Sequence, residues 1–129
     1  MSAPDGLVTT PSANDFATTL GRLIAAIAAR QMTLFAVIDH ADGAHIAGLD
    51  LDPTTLVVFG NAKGGTPLMQ QNRRIGLDLP LKVLVWQDSG GVRLTASDPG
   101  WIAARHGLQP GAADGLKAVL EALTAEAAR

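Results

Sequence analysis

Cysteine is absent from the 129-residue chain, which excludes disulfides, zinc–thiolate and iron–sulfur sites, and thiol nucleophiles. Tyrosine is also absent and aromatics make up only 4%, so a phenolic acid is missing and stacking platforms are few. No charge sign dominates: the formal net charge is -2, and no stretch gathers five or more Lys and Arg. Nucleic-acid binding needs such a basic face, so no nucleic-acid partner is expected. The apolar run Leu20–Ala29 is shorter than a membrane span and is interrupted by Arg22. Met1–Pro11 lacks the basic start and apolar run of a secretory leader. The expectation is a soluble, cytoplasmic chain with no membrane partner, no metal and no cofactor.

What is present is apolar material for one core. Hydrophobic residues make up 47%, and a chain of this size buries roughly two thirds of the surface it exposes when unfolded. A single domain over 1–129 is expected, without repeats or a linker. The stretch Thr54–Pro67 organises it: a buried strand, a glycine-rich turn with one lysine, and a helix starting at Thr66-Pro67.

Upstream, Gly6–Thr10 reads as an edge strand. A helix opens at Pro11-Ser12 with Ser12 or Asn14 as cap and Asp15 at the positive end of its dipole. Phe16, Leu20, Leu23, Ile24 and Ile27 form one apolar stripe at helical period, with Thr18, Thr19, Arg22 and Arg30 facing elsewhere. That helix ends near Arg30-Gln31. Met32–Asp39 is a second strand, covered on at least one face. His40–Ala47 is a short helix, with Asp39 as cap and Gly48 as terminator.

Thr54–Phe59 is the third strand, and the helix from Pro67 runs to Arg73 or Arg74. Leu79–Gln87 and Val92–Ser97 form a hairpin about Asp88–Gly91. Asp98-Pro99 caps a short helix through Arg105, stopped by Gly107. A final helix after Pro110-Gly111 carries Leu116, Val119, Leu120 and Leu123 on one face.

The order is β-α-β-β-β-β-α with short helices after strands two, three and five. It predicts a two-layer α+β domain with both long helices on one sheet face. Phe35, Val37, Val57, Phe59, Val83 and Val85 suggest that the second face is not fully wet, and a homodimer covering it is the simplest expectation.

Candidate chemistry begins at Gly60–Thr66. Glycines bring backbone amides close to a ligand, a helix start favours negative charge, and Lys63 adds a point charge. Gly64 and Gly65 separate Lys63 from Thr66, so the spacing is not that of the nucleotide-hydrolase phosphate loop. The other reading is a plain tight turn with glycines at positive φ. Asp39 and His40 are neighbours, which face oppositely in a strand, and can pair only if the strand ends at Asp39. Otherwise Asp39 caps a helix and His40 is a packed imidazole.

His40 and His45 lie about 140° apart around a helix, a poor metal pair. Asp50 and Asp52 read as turn residues, and Arg73, Arg74 and Arg93 as solvated positions. Trp86 is core or a dimer anchor. Neither Ser89 nor Ser97 sits in a nucleophile elbow.

Asp39-His40, Ala47-Gly48-Leu49, Phe59–Lys63 with Gly65–Met69, and Leu77–Lys82 together resemble the domain of unknown function 302 family, as do Ser97-Asp98-Pro99 and Arg105–Leu108. The resemblance is strongest over 16–108. Ala62 departs from it, since that family usually carries proline there. The resemblance implies a curved, mostly antiparallel sheet backed by helices, similar to the TATA-binding-protein topology, and dimerisation. It also implies a recurrent polar set, Asp39, His40, Asn61 and Lys63, with no established activity.

Three functions are compatible with these residues. The first is a small-molecule binding or sensing domain recognising an anionic group through Asn61, Lys63, Gly64 and Thr66, with Asp39 and His40 as partners. The second is an enzyme with His40 as acid or base and Lys63 as electrophilic stabiliser. The third is a ligand-free homodimeric interaction module. If strands two and three are antiparallel, His40 and Asn61 leave the sheet at opposite ends.

Overall fold

A computed structural model describes residues 4–129; residues 1–3 of the stretch read for a leader lie outside it. The elements are β1 (Leu7–Pro11), α1 (Phe16–Ala29), β2 (Thr33–Asp39), α2 (His40–Ile46), β3 (Thr54–Gly60), α3 (Ala62–Gln71), a 3-10 turn (Arg73–Leu77), β4 (Leu81–Asp88), β5 (Gly91–Ser97), α4 (Pro99–Arg105) and α5 (Asp114–Ala128). This is the expected order, with short helices after β2, β3 and β5. The five strands lie in the order β1-β5-β4-β3-β2 and every neighbouring pair is antiparallel.

Alternation along the strands sorts the sheet into two faces. Val57 and Phe59 of β3, Val83 and Val85 of β4, and Val92 and Leu94 of β5 are buried against Leu23, Ala26 and Ile27 of α1 and Leu120, Leu123 and Ala127 of α5. Val57, Phe59, Val83 and Val85 therefore belong to the helix side, not to the second face for which the sequence suggested them. Register places Ala36, Ile38, Leu56, Val58, Leu84 and Trp86 on the second face. That face is still substantially apolar, but through a different set of residues. Trp86 Nε1 donates to Thr95 Oγ1 at 2.9 Å, and the Arg93 guanidinium lies 5.2 Å from its ring centroid.

β2 is an edge strand and is mostly exposed. The expectation of cover failed because no residue of β2 belongs to the core that α1 and α5 close over β3, β4 and β5, and an apolar run does not reveal which strands lie beneath the helices. Its register shifts between Leu34 and Ala36, which leaves Phe35 in a bulge.

α1 is capped by Asp15, one residue after Asn14 and three after Ser12, the expected caps: its Oδ1 accepts from Thr18 N–H at 2.8 Å. Those hydrogen bonds from Thr18 hold the Asp15 carboxyl below its ordinary value of 3.8. The cap therefore contributes above that value, and its contribution is lost as pH falls through the lowered pKa. Thr19, expected to face away, is fully buried. Its hydroxyl bonds Asp15 O at 2.8 Å and Ser12 Oγ at 2.7 Å, which removes the cost of burying it.

Gly21 lies inside α1 with nothing within 4 Å of a built Cβ. Gly21→Ala is expected to raise stability by about 0.5–1 kcal/mol, read as a higher denaturant midpoint at unchanged slope.

Gly48 and Gly107, both at positive φ, follow α2 and α4 as expected. In each case the next two amides turn back to helix carbonyls, Gly48 N–H to His45 O and Leu49 N–H to Ala44 O, and Gly107 N–H to Ala104 O and Leu108 N–H to Ala103 O. A second apolar cluster, with Leu68, Ile75, Ile102, Ala103 and Ala113 at its centre, joins α3 and the 3-10 turn to α4.

Candidate functional site

The candidate site forms where β3 hands the chain to α3. Gly60 ends β3, and a Cβ there would stand 3.1 Å from Pro80 Cβ and 3.7 Å from Phe35 Cε2. The missing side chain lets these two residues close over the end of the strand. Asn61 follows in extended conformation and caps α3, its Oδ1 accepting from Lys63 N–H at 2.9 Å. Its carbonyl accepts from Gly64 N–H at 2.9 Å and Gly65 N–H at 3.1 Å.

The expected turn is therefore the first part of a helix. α3 begins at Ala62, four residues before Thr66, and Pro67 lies inside it. Gly64 and Gly65 have no positive φ. Asn61 already engages the amides of Lys63, Gly64 and Gly65, so Gly60–Thr66 offers no open nest of donors. The glycine at 64 serves packing: a Cβ there would lie 3.0 Å from Leu116 Cδ2, so its absence lets α3 approach α5. At its far end α3 stops at Gln71, and the 3-10 turn replaces the continuation to Arg73 or Arg74.

Beside this helix start lies a cleft of about 230 Å³, lined by the side chains of Phe35, Met69, Leu79, Pro80, Leu81 and Leu116 and by Gly60, Asn61, Ala62, Gly65 and Thr66. Its side chains are almost all apolar; Asn61 and Thr66 supply the polar ones. Lys63 is exposed on the first turn of α3 and does not line the cleft. Among the described residues, no carboxylate lies within ion-pair distance of Lys63. Of the candidates read from the strand–glycine–helix pattern, Asn61 and Thr66 line this cleft, whereas Lys63 and Gly64 do not and Gly65, which was not among them, does. Phe35, Met69, Leu79 and Leu116 were not legible as site residues, because a bulge and three separate elements bring them together.

Asp39 and His40 are elsewhere. Asp39 pairs with Thr55, whereas Gly60 pairs with Thr33, at the other end of the same two strands. Five residues of strand separate these ends by roughly 17 Å. Within one chain, no small substrate can touch both His40 and Lys63. Asp39 caps α2, its Oδ1 accepting from Asp42 N–H at 2.9 Å, and His40 is exposed. Among the described residues, no group of three His, Asp or Glu side chains could hold a metal ion. His106 ends α4, with Nε2 2.6 Å from Asp78 Oδ2.

Comparison with known proteins gives one fold and one family. A crystal structure of an uncharacterized conserved DUF302 protein from Bacillus stearothermophilus superposes with a TM-score of 0.85 at 18% identity, over 96% of this chain and 98% of that one. The fluoride-specific ion channel FluC 1 of Brucella suis is 50% identical over 104 residues, which are 80% of this chain and 41% of that protein. FluC 2 of Brucella melitensis is 50% identical over the same length, 38% of its own. The chain thus spans about two fifths of these curated relatives. Among the described residues, no helix is long and apolar enough to cross a membrane. The model of the family described as "Domain of unknown function DUF302" matches residues 8–126, and the chain belongs to that family.

Proposed function

We propose that this chain is a small-molecule binding or sensing domain whose site is the cleft beside the start of α3. The observation that carries this reading is the cleft itself, a concave apolar space with a few polar groups in its lining. Its size suits a molecule smaller than a typical drug. Its lining favours an apolar body, and Asn61 and Thr66 add polar groups to it. The positive end of the α3 dipole and the nearby charge of Lys63 favour an acidic group pointing that way. Recognition of an anion thus becomes a matter of orientation toward the start of α3, while affinity comes from apolar burial.

A thermal-shift screen of short- and medium-chain carboxylic acids tests it. Stabilisation by at least one acid is expected, and Gly65→Leu should abolish it. A Cβ at Gly65 faces Leu79 and Met69 at ordinary contact distances of 3.6 and 3.9 Å, so the larger side chain fills the cleft without disturbing α3. No shift with any acid, or equal shifts in both proteins, would remove the reading.

A second reading has its own observation. Leu34, Phe35, Val37 and Ile38 on β2 and Ile46, Leu49 and Leu51 just beyond it are all large apolar residues at least 41% exposed. An exposed apolar edge strand pairs readily with another chain, which supports a homodimeric interaction module. Light scattering that gives one chain per particle at high concentration counts against it. Ion conduction is what the names of the Brucella proteins state of those proteins, and each is more than twice as long as the matched segment. Ligand binding is the role proposed for this segment.

A further inference from the structure

Away from the cleft, the 3-10 turn and the end of α4 enclose a surface hollow of about 420 Å³ lined by Arg73, Arg74, Leu77, Arg105 and His106. Its geometry is tied down on both sides. Asn72 Oδ1 accepts from Arg74 N–H at 3.1 Å, and its Nδ2 donates to His106 O at 2.9 Å, joining the turn to the helix end. Asp78 accepts from Arg105 Nη1 through both carboxylate oxygens, at 3.1 and 3.0 Å, while His106 Nε2 stands 2.6 Å from Oδ2.

Asp78 therefore fixes the Arg105 guanidinium through one nitrogen and leaves the others for the hollow. Arg73 and Arg74 are exposed, and among the described residues neither has a carboxylate within ion-pair distance. Three guanidinium charges against one carboxylate make the hollow net positive in a chain whose formal charge is -2. The negative end of α4 accounts for a cation at Arg105; it does not account for Arg73 and Arg74 on the neighbouring turn. Leu77, 76% exposed, supplies an apolar rim beside the charges.

We infer that this hollow binds a phosphate monoester, with its phosphoryl oxygens on Arg73, Arg74 and Arg105 and its organic part against Leu77. Guanidinium groups match phosphate oxygens in charge and in planar, two-pronged geometry. The phosphoryl group can come from a soluble ester or from a lipid headgroup, and two arms separate these sources.

One arm titrates the chain with glycerol 1-phosphate by calorimetry. The other measures co-sedimentation with phosphatidylcholine vesicles with and without phosphatidic acid. Binding in at least one arm is expected, weakened tenfold or more by Arg73→Gln/Arg74→Gln at unchanged melting temperature. It should remain within twofold in Arg22→Gln/Arg30→Gln, which removes the same charge from α1 and from the residue that caps its end. Binding in the first arm alone assigns a soluble ester, and binding in the second alone assigns a lipid. Absence of binding in both arms, an unaffected Arg73/Arg74 variant, or equal weakening by the α1 variant overturns the inference. Because the Gly65→Leu chain keeps this hollow, its phosphate binding separates failure here from failure at the cleft.

Discussion

Gly6→Ala is expected to lower stability by about 2–5 kcal/mol, the sum of a left-handed backbone penalty and an overpacking cost. Gly6 has φ +75, and a Cβ there would lie 2.3 Å from Cδ2 and 2.6 Å from Cγ of the Trp101 indole. The ring cannot simply withdraw, because it packs against the second apolar cluster. Nor can the backbone, since Gly6 O accepts from Asp98 N–H at 2.8 Å, where β1 meets the start of α4. The melting temperature should fall by on the order of 10 °C, with a change in tryptophan fluorescence. Adding Trp101→Ala removes the ring clash and leaves only the backbone penalty, apart from the cavity it creates. A loss below about 0.5 kcal/mol, the usual range for a neutral surface change, would show that β1 does not sit against Trp101.

Phe59→Ala is expected to cost about 3–5 kcal/mol, a third or more of the total stability of many domains. Phe59 is fully buried, in the cluster that joins β3 and β4 to α1 and α5, so truncation leaves a cavity between both layers. Phe35→Ala is the internal control. Its ring is 57% exposed in the β2 bulge, and its loss should cost well under half as much while opening one wall of the cleft. Equal losses from the two variants would contradict the placement of Phe59 in the core and of Phe35 on the exposed edge strand.

The two phenylalanines also show how far a sequence carries such a fold. The element order, the long helices with their stripes, the hairpin and the terminating glycines Gly48 and Gly107 were all readable, because each is local: a period, a cap or a turn. Which face Phe59 and Val83 occupy was not readable, since both faces of the central strands carry apolar side chains and only register separates them. Thr19 was misplaced because its hydroxyl is satisfied by neighbours at 12 and 15, a tertiary circumstance that propensity ignores.

The site shows the same division. Proline is favoured at a first helical position, which placed the start of α3 at Pro67. Asn61 as cap overrides this, and the helix accepts a proline in its sixth position. Two consecutive glycines looked like a turn, whereas Gly64 is there so that Leu116 can approach. Asn61 and Thr66, named as candidates, line an apolar cleft, whereas the expected glycine-rich turn is the start of a helix. Asp78 lies 27 and 28 residues before the neighbours Arg105 and His106, and no spacing rule could have joined it to them.

Ligand binding requires the cleft to admit a guest. Titration of isotope-labelled chain with octanoate, followed through backbone amide chemical shifts, addresses that directly. Saturable shifts at Phe35, Gly60–Thr66, Leu79, Leu81 and Leu116, absent in Gly65→Leu, are the predicted result. Shifts confined to the second sheet face or the 3-10 turn, or the same shifts in both proteins, would contradict it.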